Sequence, residues 1–258
     1  METSNTSEFS WKRLRGNHTN MSNPVNIQPS SDELTALNHS LDGQSPQKIL
    51  ETAMEQYGPR IILACSFGAE DVTLADMMLR INPRSVLFYL DTDFLFPETY
   101  AVRDQIIKHY QLKDDQIIQM KSKLNPGEQA TQYGEGLWLR NPDQCCHLRK
   151  IEPLTRILNN YAAWITGIRR DQSPTRAQAG LVEWDTKFGL VKFNPLATWS
   201  WEQVWEYIRT ENVPYNELHD QHFPSIGCTH CTAPVMPGND PRSGRWQSST
   251  KTECGLHR

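Results

Sequence analysis

Short apolar runs and helix-spaced segments take turns along this chain, and that alternation limits the folds open to it. Arg60-Ile61-Ile62-Leu63-Ala64-Cys65 has no polar alternation, the pattern of a strand buried on both faces. Helical spacing follows in Val72, Leu74, Ala75, Met78 and Leu79. Residues 85–90 form a second apolar run that ends at Asp91-Thr92-Asp93, and Pro97 then opens a helix through Tyr100, Val102, Ile106, Ile107 and Tyr110. Residues 116–120 read as a third strand, 142–159 as a helix with a break expected at Pro153, and 163–167 as a fourth strand. The expected fold is α/β, a mainly parallel sheet flanked by helices.

The flanks are different in texture. Leu34, Leu37 and Leu41, then Ile49, Leu50, Ala53 and Met54, predict one or two amphipathic helices ahead of the first strand. Residues 181–185 and 190–194 predict a hairpin around Lys187-Phe188-Gly189, and 199–209 a helix capped by Ser200. From Pro214 onward Pro, Gly, His and Arg dominate and little regular structure is expected. The chain thus divides into a disordered tail (1–30), one domain (31–240) and a mobile C-terminal segment (241–258).

Eight residues each of Trp, Tyr and Phe among 258 are enough to build a core, which excludes wholesale disorder. No apolar run approaches the roughly 20 residues of a membrane helix, and the first thirty residues lack a secretory apolar segment, so a cytoplasmic protein is expected. A net charge of −4 argues against nucleic acid as a partner. The cations nonetheless gather in the second half, at Arg149-Lys150, Arg169-Arg170, Arg176, Arg242, Arg245 and Lys251, which suits a small anion.

Three loops sit where a parallel sheet binds ligands, at the ends of predicted strands. Ser66-Phe67-Gly68-Ala69-Glu70-Asp71 joins the first strand to its helix, a turn able to aim backbone N–H groups at a phosphate. It is neither a Walker loop nor a dinucleotide fingerprint, and it equally suits an ordinary strand-to-helix turn. Leu90-Asp91-Thr92 closes the second strand and fits either a cleft wall or plain helix capping. Gly167-Ile168-Arg169-Arg170-Asp171-Gln172-Ser173-Pro174-Thr175-Arg176 follows the fourth, with three planar guanidinium forks suited to phosphate or sulfate oxygens.

The cysteines carry the sharpest signal. Cys145-Cys146 and Cys228-Thr229-His230-Cys231 offer four thiolates to one metal or cluster. Adjacent cysteines point in different directions, which an iron–sulfur cube tolerates better than a zinc knuckle does; a four-cysteine zinc site and a redox dithiol stay open. Cys254 lies in Glu253-Cys254-Gly255-Leu256-His257, with Arg242, Arg245, Lys251 and His257 as candidates to lower its pKa for nucleophilic attack. It reads equally as an inert cysteine, whereas Cys65, inside an apolar strand, reads as core.

Together these motifs resemble those of assimilatory sulfonucleotide reductases, in particular the iron–sulfur adenylyl-sulfate (APS) reductases, over roughly residues 45–258. The resemblance implies an adenine-nucleotide α-hydrolase-like (PP-loop type) fold and reduction of APS to sulfite and AMP by thioredoxin or a glutaredoxin-like reductant. It implies one 4Fe-4S cluster per chain on Cys145, Cys146, Cys228 and Cys231. Cys254 is the implied nucleophile, forming an S-sulfocysteine, with Lys150, Arg242, Arg245 and His257 around the reacting group. Ser66, Phe67, Gly68, Ala69, Glu70, Asp71, Leu90, Asp91, Thr92, Gly167, Arg169, Arg170 and Arg176 are the implied substrate residues. A homodimer or homotetramer is the implied assembly. The cysteine pairs favour APS over its 3′-phosphorylated relative (PAPS), with a PAPS or dual-substrate reductase as the alternative. Two readings compete from other classes. An iron–sulfur redox sensor would keep the fold without the terminal nucleophile. ATP-dependent adenylylation or thiolation would want a Ser-Gly-Gly-x-Asp-Ser loop, which Ser66-Phe67-Gly68-Ala69 does not reproduce.

Overall fold

A computed structural model describes residues 27–247, 251, 253, 255 and 256. Most of the tail expected over 1–30, together with Cys254 and His257, therefore lies outside the described residues.

Six strands form one sheet in the order β3-β2-β1-β4-β6-β5. They are β1 (Ile61–Ala64), β2 (Leu87–Asp91), β3 (Ile117–Lys121), β4 (Ala163–Ile165), β5 (Val182–Asp185) and β6 (Leu190–Phe193). All neighbours run parallel except the β5–β6 hairpin. The mainly parallel sheet and the terminal hairpin expected from the sequence are both present.

The strand period divides the core. Ile61, Leu63, Leu87, Tyr89, Ala163 and Ile165 face a large apolar cluster under α1 (Ser31–Leu41), α2 (Pro46–Tyr57), α3 (Ala69–Ile81) and α9 (Trp201–Glu211). Ile62, Phe88 and Trp164 face the other side, against Leu154, Ile157 and Leu158 of α8 (Glu152–Leu158). Trp164 is 1% exposed, and truncating it to Ala would cost about 3–5 kcal/mol. Inside α3 the buried carboxylate of Asp76 accepts hydrogen bonds from Tyr110 of α4 (Pro97–Tyr110) and Tyr207 of α9, each 2.6 Å long. That knot ties three helices together on one face of the sheet.

Two features depart from the expected elements. Pro126–Tyr133 (α5) and Leu137–Arg140 (α6) are helical although their sequences show no apolar stripe. The chain also stays helical across Pro153. α7 (Pro142–Cys146) runs into a π turn (His147–Ile151), where the Glu152 N–H donates to His147 O, and then into α8. Pro153 stands in the first turn of α8, and the wider turn ahead gives its ring room that an α turn would deny.

Among the described residues after Pro214 the helical elements are two short 3-10 turns, Glu217–Gln221 and Thr229–Cys231. The described part up to Arg245 is nevertheless tied to the sheet end. Isolated bridges join Leu95 to Cys228 and Thr232 to Arg245, so it lies beside the end of β2.

Candidate active site

The C-terminal ends of β1, β2 and β4 open into a cavity of about 440 Å³, within the range of nucleotide-sized sites. Ser66, Phe67, Gly68, Glu70 and Asp71 line it from the turn after β1, Leu90 and Thr92 from β2, and Gly167, Arg169 and Arg176 from the loop after β4. Lys150, Arg242 and Arg245 complete a cationic side. Of the implied substrate residues, Ala69, Asp91 and Arg170 do not line the cavity. Ala69 is fully buried at the start of α3. Asp91 accepts from Tyr100 Oη at 2.7 Å and pairs with Lys121, while Arg170 Nε donates to Ala179 O at 2.9 Å. The sequence reading missed Trp201, His219 and Trp246, which also line it; the Ser200 cap placed Trp201 on a helix start but gave no sign of what that start faces.

The turn after β1 is strained and braced. Phe67 adopts φ 62°, costly for a non-glycine residue by roughly 1 kcal/mol. Its ring is buried edge-on to Tyr89, with centroids 5.4 Å apart. Asp71 Oδ2 accepts from both Ser66 N and Ser66 Oγ at 2.6 Å. Burial pushes the Asp71 carboxyl up to about 6, against the opposing pull of those two bonds.

The arginines differ in what they offer. Arg169 is 4% exposed, donates through Nε to Glu70 Oε1 at 3.0 Å, pairs with Asp171 and packs over the Trp201 ring. Arg169 thus joins the turn after β1 to the loop after β4 while lining the cavity. Arg245 donates to Ser225 Oγ at 3.1 Å and to the carbonyls of Ile226 and Cys231, and lies 4.6 Å over the Trp246 ring. Arg176 and Arg242 both reach Glu253 at 3.0 Å. Burial alone would raise the Glu253 pKa; the two arginines and Thr175 overcome it and hold the carboxyl below its usual range.

Beside the cavity, Cys145 and Cys146 from α7 and Cys228 and Cys231 from the loop line one small pocket with Arg149 and Lys150. Burial raises the Cys145 thiol to about 12 and Cys231 to about 11, with Cys146 and Cys228 adding to both. Thr92 Oγ1 lies 3.3 Å from Cys228 Sγ. His230 stacks on Trp138 with centroids 4.0 Å apart, so its ring is engaged in packing. Among the described residues no three His, Cys, Asp or Glu side chains are grouped to hold a single metal ion. Arg149, 1% exposed, donates to Gln129 Oε1 at 2.7 Å and to Asp93 Oδ2 at 2.6 Å, yet its Nη2 is buried without a hydrogen-bond partner. Four sulfurs and a buried guanidinium with one N–H group left without a partner, in one wall, fit a sulfur-ligated, anionic cluster. Lys150 is the one residue of α7 to α8 that lines both spaces, apart from which they are separate in their helical lining.

Residues 60–234 match the phosphoadenosine phosphosulfate reductase domain. The chain belongs to this family. It is 50% identical over 215 residues to a phosphoadenosine 5′-phosphosulfate reductase of Gloeobacter violaceus, covering 83% of this chain and 88% of that one. It is 47% identical over 230 residues to an adenosine 5′-phosphosulfate reductase of Shouchella clausii, covering 89% and 95%. The crystal structure of a phosphoadenylyl-sulfate reductase from Candida auris, a phosphate complex, superimposes with a TM-score of 0.71 at 31% identity, over 80% of this chain and 99% of that one. Among the described residues no helix is long and apolar enough to cross a membrane.

Proposed function

We propose that this member of the family reduces adenosine 5′-phosphosulfate to sulfite and AMP, with a thioredoxin-type dithiol as reductant. The observation that carries the reading is a nucleotide-sized cavity whose cationic side adjoins a four-cysteine pocket, with Lys150 in the wall of both. The relatives' names divide between the two sulfonucleotides. The cysteine set favours APS, as the resemblance of the motifs implies, and a reductase taking both nucleotides is the alternative.

Cys145, Cys146, Cys228 and Cys231 would hold a 4Fe-4S cluster, which when bound supplies a fixed local charge beside Lys150. The strand-end residues Leu90 and Thr92, with Gly167, frame the adenosine, and Ser66, in the turn braced by Asp71, and Arg176 bind its phosphate side. Lys150, Arg242 and Arg245 offset the charge of the phosphosulfate as a thiolate approaches. The Cys254 sulfur then attacks the sulfate sulfur: an S–S bond forms, the S–O bond to phosphate breaks, and AMP leaves with that electron pair. A reductant thiolate next attacks Cys254 Sγ, releasing sulfite with its electron pair and leaving a mixed disulfide. The second reductant thiol resolves the disulfide and frees the Cys254 thiolate. Two thiols are oxidised to one disulfide for each sulfite released.

Cytoplasmic location and a homo-oligomeric assembly belong to the same proposal. The deciding experiment is sulfite release by anaerobically purified protein with thioredoxin, comparing APS and PAPS. Strong preference for APS is the expected result, and comparable rates would make the protein a dual-substrate reductase. No sulfite from either substrate, with an intact cluster, would overturn the reading in favour of an iron–sulfur sensor.

A further inference from the structure

The cysteine pocket has an aromatic side that the proposed chemistry leaves without a task. Phe94, Trp138 and His230 line it together with the four sulfurs. The Trp138 and His230 rings lie face to face, with centroids 4.0 Å apart and planes inclined by 9°. Phe94 meets both edge-on, at 5.4 Å and 4.9 Å. The Arg149 guanidinium lies over the Phe94 ring, 5.0 Å from its centroid. Exposure rises along this series: Arg149 is buried, Phe94 and Trp138 are half-buried, and His230 is exposed. A residue that lines a pocket and also meets solvent forms the wall between the two.

The stacked pair also joins the two arms that carry the cysteines. Trp138 belongs to α6 and packs against the cluster of Leu137, Cys145 and Leu148. His230 stands between Cys228 and Cys231 in the 3-10 turn Thr229–Cys231. That turn is fastened on both sides, for Cys231 N donates to Cys228 O at 2.9 Å and Thr229 N to Phe94 O at 2.8 Å. Each ring is thus fixed to a different cysteine pair, so moving the pairs apart has to part the stack. An imidazole suits the outer place, since its face covers the indole while its polar edge stays hydrated.

We propose that the Trp138–His230 stack is the solvent barrier of the cysteine pocket and sets how fast dioxygen and chelators reach a cluster held there. This rests on the reading of the four cysteines as cluster ligands. The shell around such a site governs access to it. Dioxygen that enters takes one electron from the cluster and leaves as superoxide, and the oxidised cluster then sheds a ferrous ion. The stack opposes that entry by holding the pocket shut. Without it, the open form gains population by the factor that one stacked pair is worth. His230 acts here through its ring face and not through its nitrogens.

The test follows the loss of visible absorbance when full-length, cluster-loaded protein passes from anaerobic buffer into air. For His230→Ala we expect bleaching at least about fivefold faster, the order of one lost aromatic pair. His230→Phe keeps a ring without its nitrogens and should bleach within about twofold of the parent rate. Iron and sulfide contents measured before exposure should be equal in all three proteins. Iron release to a ferrous chelator under argon should follow the same order as bleaching, because the barrier acts on every small solute. Trp138→Ala should also bleach faster, and adding His230→Ala to it should change little, since both remove one contact. Parent-like bleaching and iron release in His230→Ala would overturn the proposal. So would His230→Phe bleaching as fast as His230→Ala, which would place the effect on the nitrogens. Loss of iron from His230→Ala before exposure would overturn it as well, making the residue part of cluster assembly. A colourless parent protein would sink the cluster reading and this proposal with it; the parent alone decides that, so the two failures are distinct.

Discussion

Lys150 follows Cys146 by one helical turn and stands in the wall of both the nucleotide cavity and the cysteine pocket. Its ammonium also acts on Cys231, pulling that thiol's pKa down against the larger effect of burial. Lys150 is half-buried and outside the apolar clusters, so its removal should spare the fold. We expect Lys150→Ala to lower turnover by about a hundredfold or more, the scale of one lost electrostatic contact to developing charge. Unfolding free energy should move by no more than about 0.5 kcal/mol. Equal losses in both, measured by steady-state kinetics and urea titration, would make the residue structural.

The four-cysteine pocket makes a statement about colour. Protein purified without oxygen should be brown and carry about four irons and four sulfides per chain. Cys228→Ser should lose most of the visible absorbance. A colourless protein with one zinc per chain would defeat the assignment.

Gly167 lies so close to the start of α3 that an added Cβ would sit 2.8 Å from Glu70 Cβ and meet Asp71 Oδ1 as well. Gly167→Ala should therefore push the loop after β4 away from the turn after β1. We expect a destabilisation of about 1–3 kcal/mol, with AMP affinity weakened by about tenfold or more, since both loops line the cavity. A calorimetric titration showing unchanged AMP binding would remove Gly167 from the site.

Asp71 gives the stability curve a sign that runs against the usual carboxylate. Its pKa is raised from 3.8 to about 6, so between those values the folded chain holds a proton that the unfolded chain has lost. The stabilising contribution is complete below the unfolded value and disappears as pH rises through the folded one. Relative to Asp71→Asn, which binds no such proton, the parent protein should lose up to about 3 kcal/mol between about pH 4 and pH 6. Parallel urea-stability curves for the two proteins across that interval would show that Asp71 does not titrate with folding.

The sheet was legible because its strands are apolar on both faces, as Ile61-Ile62-Leu63 illustrates with side chains entering two cores. α5 was not legible, since Pro126–Tyr133 buries only Gln129 and has no apolar stripe. Its signature was the Asn125 and Glu128 capping box, a pattern that holds without hydrophobic spacing. In the site, cysteines and arginines declared themselves by residue type. What they pair with did not. Arg169 reaches Glu70 only because β4 lies beside β1, and that adjacency is set by strand order rather than by any local motif. Ala69, Asp91 and Arg170 lie at the right strand ends but are taken up by burial at the start of α3, by Tyr100 and Lys121, and by Ala179 O, partners that the local sequence does not name.

The π turn at His147–Ile151 sets a phase. An α-helix advances about 100° per residue, so one residue more or less between two functional groups swings one around the axis relative to the other. Cys145 and Cys146 precede this turn, and Leu154 on the floor of the nucleotide cavity follows it. The helix thus works like a screw with one stretched thread, facing sulfur chemistry at one end and the nucleotide at the other.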